Sequence, residues 1–231
     1  NNIFIGFITV FVIVGCSRKK DKFLNKNFHS ITTKYNYLYN GKILLNDALA
    51  SLNVQEKDNF WKLLPLEKYN SEEIEKDFQK DIQTPFSQAE EKAALAIQKH
   101  SMNINGREEN PIMDEAYLLL GKARYYDKRF IPSLEAFNYI LFKHPTSQNI
   151  NYVKIWKEKI NLRLGQSETA IVNLKELILN NKLENLDLAE ANIYLAQAYI
   201  NSKSQDSAIS CLKTAINLTK NKSAKARYNY I

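Results

Sequence analysis

The second half of the chain repeats itself, and that repetition restricts the fold more than any other feature. Aligning residues 114–147, 151–184 and 189–222 superposes Gly121, Glu158 and Ala196, then Ser133, Ala170 and Ala208, then Phe137, Leu174 and Leu212, at intervals of 37 and then 38 residues. A period of this size means that one supersecondary unit is used again and again, each copy burying its apolar face against the next.

These positions resemble the tetratricopeptide pattern, in which small residues let two antiparallel helices approach while large ones fill the groove beside them. The first copy keeps Leu120-Gly121, Phe137 and Pro145, with Arg124 in place of the usual Tyr and Ser133 in place of Ala. The third has Leu195-Ala196, Tyr199, Ala208, Leu212 and Ala215. The middle copy keeps Gly165 at the turn, Ala170 and Leu174, but Glu158 at its small-residue position predicts looser packing of its first helix. A period above the usual ~34 residues implies an extra helical turn or a longer loop per repeat. Asp187 with Glu190 reads as a capping box, Ser167 as an N-cap, and Pro132 as an opening-turn residue. Residues 111–222 are thus three repeats, and residues 223–231 start another first helix in the same register, so the array is expected to continue past Ile231.

With six Gly and five Pro in 231 residues, the chain lacks the turn signals that many short strands would need, and the fold class is all-α. An apolar content of 45%, with 13 Tyr and 11 Phe, is ample for a core. Residues 70–110 read as a degenerate hairpin and loop: Ala89 and Ala96 have the spacing of a second helix, residues 71–83 would be its partner, and Asn103, Asn105, Gly106, Asn110 and Pro111 mark an ordered loop. Residues 26–69 form an N-terminal helical region. Its Tyr-rich helix (Tyr35, Tyr37, Tyr39) is predicted to break at Asn40-Gly41 and resume through Ala48, while residues 59–69, with Trp61, Leu64 and Pro65, read as a loop or short helix.

The N-terminal end carries a different signal. Residues 1–15 are uncharged, so the whole net charge of +7 lies downstream. The apolar run at 3–14 is shorter than the ~20 residues of a spanning helix and suits the h-region of a signal peptide whose basic n-region would precede it. It ends Val14-Gly15-Cys16-Ser17, which resembles the bacterial lipobox, with cleavage between Gly15 and Cys16 and lipidation of Cys16. The alternative is a buried cysteine in a transmembrane segment. Acyl chains burying CH₂ groups at roughly 0.8 kcal/mol each would make the anchor effectively permanent. Residues 16–25 then form a lipidated tether, basic at Arg18, Lys19, Lys20 and Lys22. Lipidation would leave Cys211 alone in an apolar helical stretch, as a small buried hydrophobe, with no disulfide framework.

Several phrases outside the repeat positions are similar to the SprE/PorW family of lipoproteins. They are Lys19-Lys20-Asp21-Lys22-Phe23 after the lipobox, Lys34-Tyr35-Asn36 with Leu38-Tyr39-Asn40-Gly41, Ala96-Ile97-Gln98-Lys99-His100-Ser101-Met102-Asn103-Ile104, and Asp114-Glu115-Ala116-Tyr117-Leu118-Leu119-Leu120-Gly121-Lys122-Ala123-Arg124-Tyr125-Tyr126. The resemblance implies an outer-membrane lipoprotein of the type IX secretion and gliding-motility system. Its long tetratricopeptide array would link the translocon to periplasmic ring and motor proteins. The basic rather than acidic tether places it on the periplasmic face.

For such a scaffold the expected partner site is the concave wall of first helices: Glu115, Leu118, Lys122 and Tyr125, then Tyr152, Ile155, Lys159 and Leu162, then Glu190, Ile193, Gln197 and Ile200. The competing reading has the apolar members simply packed against neighbouring helices. Catalysis is disfavoured, because His29, His100 and His144 lie in unrelated contexts and no HExxH, CxxC, GxSxG or Gly-rich phosphate loop occurs. No cofactor, metal or small-molecule substrate is expected. A pI near 9.2 alone points to nucleic acid, but basic and acidic residues alternate and no nucleic-acid-binding signature appears. A second class stays open: a glycan-binding nutrient lipoprotein of the outer membrane, with Tyr35, Tyr37 and Tyr39 as platforms.

Overall fold

A computed structural model describes residues 17–69 and 84–231. The lipobox with Cys16, and residues 71–83 proposed as the partner of the 85–96 helix, lie outside them. The chain is mostly helical and built from helical hairpins, as the scarcity of Gly and Pro predicts.

Helix α1 (Phe23–Thr32), a π-helical segment (Thr33–Leu38) and α2 (Tyr39–Gln55) form one uninterrupted rod. The break expected at Asn40-Gly41 does not occur. A Cβ on Gly41 would stand 2.6 Å from Leu119 Cδ2, so this glycine serves a close helix approach and not a turn. The irregularity falls just before it, in the π-helical segment. Helix α3 (Pro85–His100) starts with Pro85 behind a Thr84 cap, whose side chain accepts from Ser87 N, and it packs between α2 and α4 (Met113–Tyr126). The loop after it contains a two-stranded hairpin, β1 (Asn103–Ile104) and β2 (Arg107–Glu108). Asn105 and Gly106 supply its two left-handed residues, at φ 51° and 80°. Glu108 ties the hairpin down by accepting from Ser101 Oγ, Met102 N and Asn110 N.

Three helical hairpins follow. They are α4 with α5 (Phe130–Lys143), α6 (Ile150–Arg163) with α7 (Ser167–Asn180), and α8 (Asn185–Asn201) with α9 (Gln205–Leu218); α10 (Lys222–Tyr230) packs on α9. Each hairpin turns in the same way. A left-handed residue closes the first helix at Lys128, Gly165 and Lys203. In each turn that residue's N–H bonds the carbonyl three positions back, and the next N–H bonds the carbonyl five back: Arg129 to Arg124, Gln166 to Asn161 and Ser204 to Tyr199, at 2.8–2.9 Å. This is the Schellman closure, in which glycine is favoured because other residues strain there. Lys203→Gly is therefore expected to raise stability by about 1 kcal/mol, read as a higher urea midpoint with an unchanged slope.

All nine aligned repeat positions lie inside the stack, with Gly121, Ala196, Ser133, Ala170, Ala208, Phe137, Leu174 and Leu212 buried. A Cβ on Gly121 would meet the Phe137 ring at 2.7 Å, and Ser133 Oγ donates to Gly121 O at 2.7 Å, which is how serine substitutes for alanine there. Val153, Ile155, Trp156 and Ile160 on α6 are fully or almost fully buried, yet the two helices of this middle hairpin approach each other less extensively than those of the other two, as expected from Glu158. Its carboxylate is retained by the Nδ2 groups of Asn161 and Asn173, at 2.8 and 3.0 Å. Burial nevertheless raises its pKa. Pro132 sits in the first turn of α5 as expected. The other two caps differ. Helix α8 begins before Asp187, which lies within its first turn, and Ser167 is inside α7, where its Oγ accepts from Asn201 Nδ2; neither side chain caps. The extra length over the usual period lies partly in the connectors, residues 144–149 and 181–184.

Candidate functional site: an occupied groove

The first helices of the hairpins, α4, α6 and α8, together with α10, share one wall, and residues 58–69 lie across it as a looped strap with a turn at 59–62. At one end Asp58 forms a bidentate pair with Arg227 (both 2.6 Å), Arg227 also donates to Pro65 O, and Tyr230 OH donates to Phe60 O at 2.6 Å. In the middle, Leu66 is buried beside Ala196, Leu212, Ile193, Ile200 and Tyr228. At the far end Tyr69 meets Tyr125 and Phe130, with Arg163 over its ring at 4.1 Å.

Glu67 sits between these ends in a four-sided clamp. Its carboxylate accepts from Lys159 Nζ at 2.5 Å, Tyr126 OH at 2.7 Å and Tyr125 OH at 3.2 Å, and Arg163 stands 3.4 Å away. Arg163 Nε also donates to Tyr125 OH at 2.7 Å, fixing that hydroxyl. Lys159 is almost wholly buried, its ammonium lying 3.9 Å over Trp156, 4.6 Å over Tyr125 and 5.1 Å over Tyr194. Burial alone would push the Glu67 carboxyl up, but Lys159, the Tyr126 hydroxyl and Arg163 outweigh it and hold the pKa below the usual range. Burial lowers that of Lys159, opposed by Glu67. It drives Tyr125 and Tyr126 upward, with the Glu67 charge adding, so both remain hydroxyl donors. The result is a carboxylate receptor built from two cations and two phenols on a desolvated wall.

The twelve wall positions divide by surroundings. Tyr125 and Lys159 belong to the clamp. Lys122 lies beside it, over Tyr152 (4.5 Å) and Trp156 (5.2 Å), its pKa pushed down to about 8 by burial. Leu162 and Gln197 line a cavity of about 270 Å³ under the strap, and Glu190 and Ile193 line a wider one of about 890 Å³ beside it. Burial raises the Glu190 carboxyl, which the nearby lysines only partly offset. Ile193 and Ile200 surround Leu66. Ile155 is core between hairpins, Leu118 packs against the aromatic cluster, and Glu115 turns away to pair with Lys42 at 2.6 Å. Sequence reasoning missed Glu67, Tyr126, Arg163, Trp156 and Tyr194. The last four lie on helix faces next to named positions, but nothing in Leu64-Pro65-Leu66-Glu67 signals where it docks.

Among the described residues there is no group of three His, Cys, Asp or Glu placed to hold a metal, and no helix long and apolar enough to cross a membrane. His29 and His100 meet elsewhere, Nδ1 to Nδ1 at 2.8 Å in a buried contact. Burial, then the neighbouring charge of His29, pushes His100 down to about 4. Because the folded state disfavours its proton, stability is full above the ordinary histidine value and is lost as pH falls toward 4. Acidifying from about pH 7.5 to 5 is expected to cost about 2 kcal/mol through this residue, and urea melts of His100→Gln should lack that part of the slope. On the rod, Tyr35 and Tyr39 are 61% exposed, whereas Tyr37 is half-buried against His100. Cys211 is half-buried, its thiol pushed up by burial. Neither any protein-family model nor any curated protein matches the chain.

Proposed function

We propose that the chain is part of an outer-membrane scaffold lipoprotein of the type IX secretion and gliding-motility system, with tetratricopeptide-like repeats, anchored through Cys16 on the periplasmic face. It works by protein–protein contacts, linking the translocon to ring and motor components, and has no catalytic role. The observation that carries the binding part of this reading is the wall shared by α4, α6, α8 and α10, whose side chains hold a non-helical peptide segment; a helical array uses such a surface to take up partners. The secretion-system part rests on the lipobox and on the non-repeat phrases quoted above. The exposed Leu24, Phe28, Ile31 and Tyr35 along α1 and its continuation suit a surface held close to a bilayer.

Affinity capture of the full-length protein from its native host, with and without Cys16→Ala, followed by mass spectrometry, tests the proposal. Translocon or ring components should be recovered, and lost when Cys16 is replaced. A second reading, glycan capture, is favoured by the exposed Tyr35 and Tyr39, four residues apart. Recovery of a sugar-uptake porin alone, with glycan binding abolished by Tyr35→Ala, would replace the scaffold reading.

A further inference from the structure

We propose that the clamp of Lys159, Arg163, Tyr125 and Tyr126 recognises a glutamate-bearing, non-helical segment of a partner protein, and that Glu67 occupies it as a built-in competitor. The inference deepens the scaffold reading by giving the partner of that groove a chemistry. The clamp is made for a carboxylate. Two cations and two hydroxyl donors converge on one pair of oxygens at 2.5–3.4 Å, and the phenols cannot turn away because Arg163 and the aromatic packing orient them. Without Glu67, Lys159 would keep a buried charge among ring faces with Glu190 as its remaining acidic neighbour, an arrangement that costs free energy. The wall therefore favours a carboxylate at this point, and the strap supplies one.

The strap is built like a ligand. It adds no helix or strand to the fold, and it holds by a few contacts: Asp58 and the Pro65 carbonyl on Arg227, the Phe60 carbonyl on Tyr230, Leu66 in an apolar socket, Glu67 in the clamp and Tyr69 against Tyr125. Between its anchors it leaves Phe60, Trp61 and Leu63 largely in water, Trp61 at 98% exposure. Open space of about 890 Å³ remains along its edge. A partner segment carrying leucine followed by glutamate, free of helix and strand, reproduces the features that hold Leu66 and Glu67. Its competitor is covalently tethered, so its effective concentration is on the order of mM, and the intact chain should bind such segments weakly.

The test uses a fluorescent synthetic peptide with the sequence of residues 60–69, and the same peptide with glutamine for glutamate, titrated by anisotropy into the wild-type chain and into Glu67→Gln. Glu67→Gln should bind the glutamate peptide at least tenfold more tightly than wild type, discriminate at least tenfold against the glutamine peptide, and lose binding when Lys159→Ala is added. If Glu67→Gln does not keep its helicity, Leu66→Ala releases the strap without altering the clamp and should behave alike. The proposal is overturned if a folded, strap-loosened chain fails to bind, if wild type binds as tightly, or if the glutamine peptide binds equally. Unfolding of both variants would make the strap an integral part of the fold and overturn it too. The assay contains no secretion component, so capture of translocon proteins without peptide binding removes this inference alone. Peptide binding without such capture removes only the secretion assignment.

Discussion

Truncating Phe137 to alanine is expected to lower the stability of the chain by about 3–5 kcal/mol, the cost of deleting a fully buried aromatic ring. The ring has no exposure, lies 5.7 Å from Trp156 in a stacked pair, and fills the space left open by Gly121. It therefore joins α5 to both α4 and α6, and its loss weakens a hairpin and the interface to the next one together. The reciprocal change, Gly121→Ala, drives a methyl into the same ring and should cost about 1–3 kcal/mol. In a Phe137→Leu background much of that second cost should vanish, because the clash is with ring atoms. Urea melts followed by circular dichroism measure all four proteins. A Phe137→Ala loss below about 1 kcal/mol, or strict additivity of the pair, would contradict this packing.

The second large effect is local. Lys159→Met keeps an apolar side chain of similar length on the wall but removes the main partner of Glu67. Breaking a buried pair costs about 3–5 kcal/mol when the remaining charge cannot escape; here it can, because the strap is free to leave the groove and hydrate Glu67. The global loss should accordingly stay below that figure while the strap opens. The expected signature is faster chymotryptic cleavage at Phe60 and Trp61 and accelerated amide exchange over residues 59–69, with hairpin helicity unchanged. Equal strap protection in the two proteins would show that Lys159 does not hold it.

The helical class and the hairpin register were legible because they depend on period and residue size, which sequence carries directly. Gly121, Ser133 and Phe137 meet as their spacing implies, and Gly165 takes the left-handed turn. Lys128 and Lys203 take the same turn without any local signal; only their 37- and 38-residue offsets from one another through Gly165 reveal it. Asn40-Gly41 misled because glycine serves both turns and close contacts, and the choice was made by Leu119, a residue distant in sequence. Glu158 was legible by its size, which keeps the helices of the middle hairpin further apart, whereas its amide partners Asn161 and Asn173 carry no signal in the spacing. The groove was harder still. Lys122, Tyr125 and Lys159 do share one wall, yet the residue that organises them, Glu67, lies 58 to 96 positions away from its hydrogen-bond partners in a stretch with no period at all.

The strap also changes how the array folds. Contacts between successive hairpins are local, so such a stack can form and melt piecemeal, one unit at a time. Asp58, Leu66, Glu67 and Tyr69 instead bind helices spread from α4 to α10, and they can do so only once those helices stand side by side. Closing that long loop comes late and slowly, in keeping with the cost of contacts far apart in the chain. Once closed, it makes the melting of one hairpin felt by the others, turning a row of loosely coupled units into a single cooperative transition.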